Sequence, residues 1–257
     1  FCQNYDISQV NKNVNQPNQV IDRLSSKITP KQLVDLALAK KVAGIAYTYN
    51  EPAIFVEFAH DTAKLARKHG LKNVYVSNGF ESKEAFDYIK DYLDAINIDL
   101  KSFRPEFYRA ICKSKLEPVL ANISRFYKSG IETEITTLII PGHNDSIKEL
   151  TDIASFLVSV SPDIPWHISA FFPQYQMLDV HSTPHSTLIK AYDIGIKQGL
   201  KYVYIGNISD PQRSSTRCPR CHALLVYREG FDVSVKELDS QTGRCKNCGE
   251  PIPGLWR

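Results

Sequence analysis

Six short apolar runs alternate along the chain with turns and stretches of helical spacing, and this alternation limits the fold more than any other feature. The runs fall at 45–48, 73–77, 95–99, 132–140, 166–171 and 201–205. Between them, 52–69, 82–92, 116–129, 146–160 and 184–198 carry apolar residues at helical spacing. Thr29 as a cap with Pro30 at the first helical position starts another helix ahead of the first run. Gly70 and Gly130 stand where two helices should stop. Ser82 and Ser146 are expected caps, the second with Glu149 three residues on as a capping box. The stretch at 11–29, rich in Asn, Gln and Ser, reads as a loop.

Strands alternating with helices in this way indicate parallel βαβ units. The fold class expected is α/β, a partial (β/α)6 TIM-like barrel missing its first strand, with the doubly wound open sheet as the alternative. In either, functional groups gather at the C-terminal ends of the strands. The polar residues that look out of place there are Asn50-Glu51, Ser77-Asn78, Asp99-Lys101 and Thr137. From Asn207 the periodicity fails and Pro, Ser and Arg accumulate, so a boundary is placed near Ile208 to Gln212, separating a barrel at 1–207 from a small module at 213–257.

That module holds Cys218, Cys221, Cys245 and Cys248, two Cys-x-x-Cys pairs separated by 23 residues. Two such turns complete a closed tetrahedral thiolate site. A piece this small has too little core to fold alone, so metal binding would stabilise it. The module is expected to be a four-Cys metal ribbon, with structural zinc first and iron second, and strands at 224–227 and 231–235. His222 is expected to be a bystander. Residues 207–257 carry eight Lys and Arg against six Asp and Glu, with no basic stripe. The whole chain has a formal charge of +3 from 31 Lys and Arg and 28 Asp and Glu. Near balance argues against nucleic acid and against an anionic membrane as partners. No apolar run approaches the roughly 18 residues of a spanning helix, and unpaired thiol motifs point to a reducing compartment, the cytoplasm.

The chain opens in mid-motif with Phe1-Cys2-Gln3-Asn4. Together with Tyr49-Asn50-Glu51-Pro52, Ser77-Asn78-Gly79-Phe80, Asp99-Leu100-Lys101, Ile140-Pro141-Gly142-His143-Asn144-Asp145, Trp166-His167-Ile168-Ser169 and the tail Pro253-Gly254-Leu255-Trp256, it resembles radical S-adenosylmethionine (SAM) enzymes. The likeness is to the pyruvate formate-lyase activating enzyme-like branch, and within it to the radical enzyme of the AmmeMemoRadiSam system. Each piece is weak alone, and the series in order is fairly specific.

This resemblance implies a 4Fe-4S cluster held by three thiolates with one iron left for S-adenosylmethionine. Reductive cleavage would give methionine and a 5'-deoxyadenosyl radical that abstracts hydrogen. Cys2 would then be the last cluster ligand and part of the catalytic unit, with the other two cysteines expected upstream, so that residues 1–257 alone would be inactive. Phe1 would contact adenine. Asn50, Glu51 and Pro52 stand where the family has a Gly-Gly-Glu-Pro-like motif for the cofactor's amino group, with Asn for Gly as a departure. Ser77, Asn78 and Asp99 match positions facing the ribose or the carboxylate, and His167 is a further candidate cofactor contact. Lys101 is placed as a catalytic strand-end charge near substrate. The implied partners are a reductant protein such as flavodoxin or ferredoxin and, from the activating-enzyme likeness, a glycine in a protein substrate.

Blander readings stand beside these. Cys2 could be a stray thiol, Glu51 a helix-starting carboxylate, Asp99 and Lys101 a surface pair, Asn78-Gly79 a tight turn, and His167 a hydrogen-bonded strand histidine. His143 and Asn144 are expected to serve a turn, and Cys112, on an expected helix, to be packing. Two other classes remain in view. One is a non-catalytic metal-stabilised binding module on a barrel scaffold. The other is a metal-dependent lyase or aldolase, which lacks any His-x-His cluster here.

Overall fold

The computed structural model describes residues 1–9 and 27–256; the loop expected at 11–29 lies, up to residue 26, outside the described residues. Six strands form one parallel sheet: β1 (Gly44–Tyr47), β2 (Lys72–Ser77), β3 (Ala95–Asp99), β4 (Glu132–Ile139), β5 (Trp166–Ala170) and β6 (Val203–Gly206). They pair in strict chain order, β1-β2-β3-β4-β5-β6, every pair parallel. A doubly wound sheet would reverse its order at a switch point. Sequential order with crossovers of one hand instead puts every connecting helix on the same face, which is the partial-barrel arrangement.

The helices run as expected, with informative differences at their ends. After the single turn α1 (Tyr5–Ser8), α2 (Pro30–Ala39) opens with a complete capping box between Thr29 and Gln32. A 3-10 turn over Pro52–Phe55 leads into α3 (Val56–Lys68), so the helix expected from Pro52 is split. α4 (Lys83–Ile89) is capped by Ser82. A short α5 (Pro105–Phe107) continues as a π-helical turn over Tyr108–Cys112. α6 (Leu116–Lys128), α7 (Ile147–Val160) and α8 (His185–Gln198) follow. At α7 Ser146 accepts the Glu149 N–H, but the Glu149 side chain does not return to close the box. It is buried and instead accepts from Ser102 Oγ, from the Phe103 N–H at 3.1 Å and from Arg104 Nε at 2.8 Å, tying α7 to the loop after β3.

The core lies between sheet and helices. Tyr75, Ile96, Ile98, Ile135, Trp166 and Ile168 project from the strands onto Val119, Ile123, Phe126, Ile153 and Leu157 of the helices, all at 1 % exposure or less. Each such side chain contributes roughly 1.5–3 kcal/mol by leaving water. The opposite face alternates with it. On β4 the burial pattern puts Glu132, Glu134, Thr136 and Leu138 together on the partly exposed inner side. That polar inner face forms the wall of the barrel's lumen.

After β6, α9 (Pro211–Ser214) leads into an antiparallel ribbon of β7 (Thr216–Arg217), β8 (Leu224–Glu229) and β9 (Asp232–Val235), with β10 (Leu238–Asp239) and β11 (Arg244–Cys245) alongside. The ribbon's small core joins Leu225, Val226, Leu238 and Ile252 to Cys218 and Cys245, and it takes in Tyr202, just before β6. The module therefore packs on the end of the sheet where β6 begins. Among the described residues no helix is long and apolar enough to cross a membrane.

Candidate functional site

The ends of the strands open on a cleft of about 660 Å³. Phe1 and Cys2 reach it from the N-terminal segment, Asn50 and Glu51 from the loop after β1, Ser77 and Asn78 from the end of β2, and Asp99 and Lys101 from the end of β3. The sequence-predicted residues therefore converge, with two exceptions. Pro52 is buried in the 3-10 turn behind the loop, and His167 lies elsewhere.

Glu51 is spent within the chain. One carboxylate oxygen accepts from Ser77 Oγ at 2.7 Å and from the Ala53 N–H at 3.3 Å, and the other accepts from the Asn78 N–H at 2.7 Å. Burial pushes its carboxyl above the ordinary range, against the pull of those donors. The side chain thus clamps the β1 loop to the β2 turn. Asn78 in turn accepts from the Phe80 N–H at 2.7 Å, and Ser77 Oγ from the Gly79 N–H at 3.0 Å. Gly79 has φ +72°, and a Cβ there would sit 2.7 Å from Ile98, so the turn requires glycine. Buried Asn122 on α6 fastens the same turn by donating to the carbonyls of Gly79 and Glu81.

Asp99 and Lys101 form an ion pair at 2.8 Å. Burial alone would lower the Lys101 ammonium, but Asp99 outweighs it and holds the Lys101 pKa above its ordinary value. The Lys101 ammonium also lies 5.8 Å from the Phe1 ring centroid, a cation–π distance. The backbone of Lys101 is fixed from both sides: its N–H donates to Tyr108 Oη at 3.2 Å and its carbonyl accepts from Asn144 Nδ2 at 2.7 Å. Cys2 accepts a long hydrogen bond of 3.6 Å from Ser8 Oγ.

Two expectations change, those for His167 and Thr137. His167 sits at the start of β5, on the lumen face but toward the other end, in a separate hollow of about 500 Å³. There it meets Glu134 at 2.9 Å and stacks on Tyr204 at 5.2 Å, so it is the hydrogen-bonded strand histidine and not a cleft residue. Thr137 is buried on the helix side, where it accepts from Trp166 Nε1 and donates to the Leu100 carbonyl, while its neighbour Thr136 faces the cleft. A one-residue step along a strand exchanges faces. Cys112, on the π-helical turn, packs against the core as expected and also lines the cleft, and burial pushes its thiol up. Asn144 serves the turn as expected, its N–H donating to the Ile140 carbonyl and its Oδ1 accepting from the Ile140 N–H, and from its buried position it also donates to the carbonyls of Lys101 and Leu138.

In the ribbon the sulfurs of Cys218, Cys221, Cys245 and Cys248 all lie within 4.8 Å of one another, with closest pairs at 3.5 and 3.6 Å. Four thiols so close, on two turns, are a donor set able to hold a metal ion of the kind that takes four thiolates. His222 offers no ligand atom to it.

The sequence model of the Radical SAM superfamily matches residues 1–157. An uncharacterized protein of Methanocaldococcus jannaschii is 41% identical over 252 residues, covering 98% of this chain and 72% of that protein. Among solved structures, a domain of pyruvate-formate lyase-activating enzyme from Bacteroides vulgatus superposes with a TM-score of 0.56 at 23% identity, covering 65% of this chain and 100% of that domain. Streptococcus suis SuiB bound to S-adenosylmethionine superposes with a TM-score of 0.57 at 11% identity, covering 71% of this chain and 44% of SuiB. At these identities the solved structures speak for the fold alone.

Proposed function

This chain belongs to the radical SAM superfamily, and from that premise we propose that it cleaves S-adenosylmethionine reductively at a 4Fe-4S cluster and abstracts hydrogen from a substrate seated in the strand-end cleft. The observation that carries the reading is the meeting of Cys2 with Asn50, Asn78 and Asp99 in one hollow. A thiol so far in sequence from most of the strands could have pointed anywhere; this one faces the mouth. When bound, the cluster and its cofactor supply one electron and a 5'-deoxyadenosyl radical.

The chain's own residues do the rest. Cys2 offers a thiolate to one iron. Phe1, packed over Lys101, presents an aromatic surface for adenine. With the Glu51 carboxylate occupied by Ser77 and Asn78, an amino group is left to the loop's polar backbone and Asn50, while Glu51 acts by holding that loop in place. Lys101, anchored by Asp99, Tyr108 and Asn144, is a fixed cation at the substrate end. The electron comes from a reductant protein such as flavodoxin or ferredoxin, and the ribbon cage holds zinc. The motif series favours the activating enzyme-like branch, nearest the AmmeMemoRadiSam enzymes. A glycine in a partner protein remains what that likeness implies for the substrate; the surroundings of the cleft favour another class.

The test is anaerobic reconstitution of the protein with iron and sulfide, followed by chromatographic assay of 5'-deoxyadenosine after addition of S-adenosylmethionine and reductant. Release well above that of Cys2→Ala is expected. Equal release from the two proteins would end the proposal.

A further inference from the structure

Beside the reaction cleft lies a second hollow of about 730 Å³, between the π-helical turn and the start of α6, and the two share Phe80 and Ser114. Three cations line it, Arg109, Lys113 and Lys115, against the single carboxylate of Glu117. Arg109 is paired with Glu106 at 2.9 Å, but among the described residues Lys113 and Lys115 join no ion pair. The positive end of α6, a helix of 13 residues, opens on the same space, and no side chain caps it. The N–H groups of Leu116 and Glu117 have no intrahelical acceptor, and the helix dipole favours an anion there. Independently, Ser114 Oγ is shielded from solvent and has no hydrogen-bond partner among the described residues, and Ser114 lines both hollows. Among the described residues its donor and acceptor capacity is unused.

We propose that this hollow is a phosphate subsite of the reaction cleft, so that the substrate is a phosphate-bearing small molecule. Its anionic end would sit on Lys113, Lys115, Ser114 and the start of α6, with the hydrogen-donating part reaching past Phe80 toward Cys2 and Lys101. Two free ammonium groups match a dianion of about −1.5 to −2 with three acceptor oxygens. A carboxylate, with one charge, would leave one ammonium uncompensated. The substrate class rests on the cleft being where reaction occurs; the anion site itself does not.

The experiment uses the whole chain and titrates it calorimetrically with inorganic phosphate and, separately, acetate at constant ionic strength. The decisive variant joins Lys113→Asn to Lys115→Gln. Lys113 has φ +55°, a conformation that asparagine tolerates, and both residues are exposed. Unchanged thermal unfolding of the variant checks that its fold is intact. Ser114→Ala is the second variant, and Lys148→Ala, on the exposed side of α7, is the control. Phosphate should bind the parent and the control alike, roughly tenfold more weakly in the double variant and several-fold more weakly in Ser114→Ala, with acetate at least roughly tenfold weaker than phosphate throughout. Equal phosphate affinity in parent and double variant, acetate binding as well as phosphate, or no saturable phosphate binding would each overturn the proposal. Deoxyadenosine release reads the radical reaction separately, so either idea can fail without the other.

Discussion

Glu81, just past the turn that Glu51 clamps, is a buried carboxyl that joins no ion pair among the described residues. It is 8 % exposed, and its Oε1 finds no hydrogen bond among the described residues. Burial first, and the neighbouring Glu51 carboxylate second, push its pKa from the ordinary 4.5 to about 7, while Arg125 pulls the other way. Arg125 gives limited help because its guanidinium is engaged with Asn122 and lies over the Phe86 ring. The displacement corresponds to about 3 kcal/mol between the neutral and charged forms. Between pH 4.5 and 7 the folded chain keeps this proton and the unfolded chain has released it. Stability from this group is therefore fully present below about pH 4.5 and falls as pH rises through about 7. Glu81→Gln keeps the shape and removes the titration. Urea unfolding from pH 5 to 8 at fixed ionic strength should show the variant gaining on the parent as pH rises, by at most about 3 kcal/mol at pH 8. Glu51 and Glu132 are also raised by burial and slope the same way, so the difference between the two proteins, not the parent's slope, is the quantity to read. Parallel pH profiles would refute the reasoning.

Two further outcomes follow from where the structure places its groups. His167→Ala should leave 5'-deoxyadenosine release within about twofold of the parent while lowering stability by roughly 1 kcal/mol, the worth of a half-exposed pair with Glu134; a tenfold loss of release at unchanged fold would return His167 to the site. Stripping metal with a strong chelator should expose 213–257 to limited proteolysis and leave the barrel's circular dichroism in place, since the apolar core of the ribbon is small. A tail equally resistant with and without metal would show that its thiols are not what holds it together.

Much of the architecture could be read from the residues because local rules and the global fold agree. Thr29-Pro30, Ser82 and Ser146 cap where capping chemistry says they should, and the short apolar runs became the six strands to within one or two residues at most ends. The convergence of Asn50, Glu51, Ser77, Asn78, Asp99 and Lys101 was legible for a similar reason: in parallel units of one hand, strand ends share one rim; that Phe1 and Cys2 join them was implied only by the family resemblance. Facing and depth were harder. Thr136 and Thr137 are chemically identical neighbours, and the pleat alone decides which meets the cleft. His167 has the right face and the wrong height, since it lies two residues before Ser169, which does line the cleft. Cys112 packs against the core as its residue type suggested, but that it also borders the cleft could not be read from the sequence, because a π-helical turn departs from the 3.6-residue period.

The same contrast explains how the site is held. Few of its side chains are fixed by their own strand; they are fixed by ties between loops far apart in sequence. Glu51 joins the β1 loop to the β2 turn, Asn122 reaches that turn from α6, Asn144 grips Lys101 from the β4 loop, and Glu149 anchors the residues just after Lys101 from α7. Asn122, Asn144 and Glu149 are buried polar groups that water could not satisfy, so breaking one of their ties leaves donors or acceptors stranded at a cost of about 1–3 kcal/mol each. Such a rim keeps its shape with the lumen open, which suits a cleft that must present a thiol, a fixed cation and a polar loop at set positions before any ligand arrives. Local propensity cannot announce these ties, because a capping residue such as Glu149 looks the same whether it closes its own helix or reaches across to a neighbouring loop.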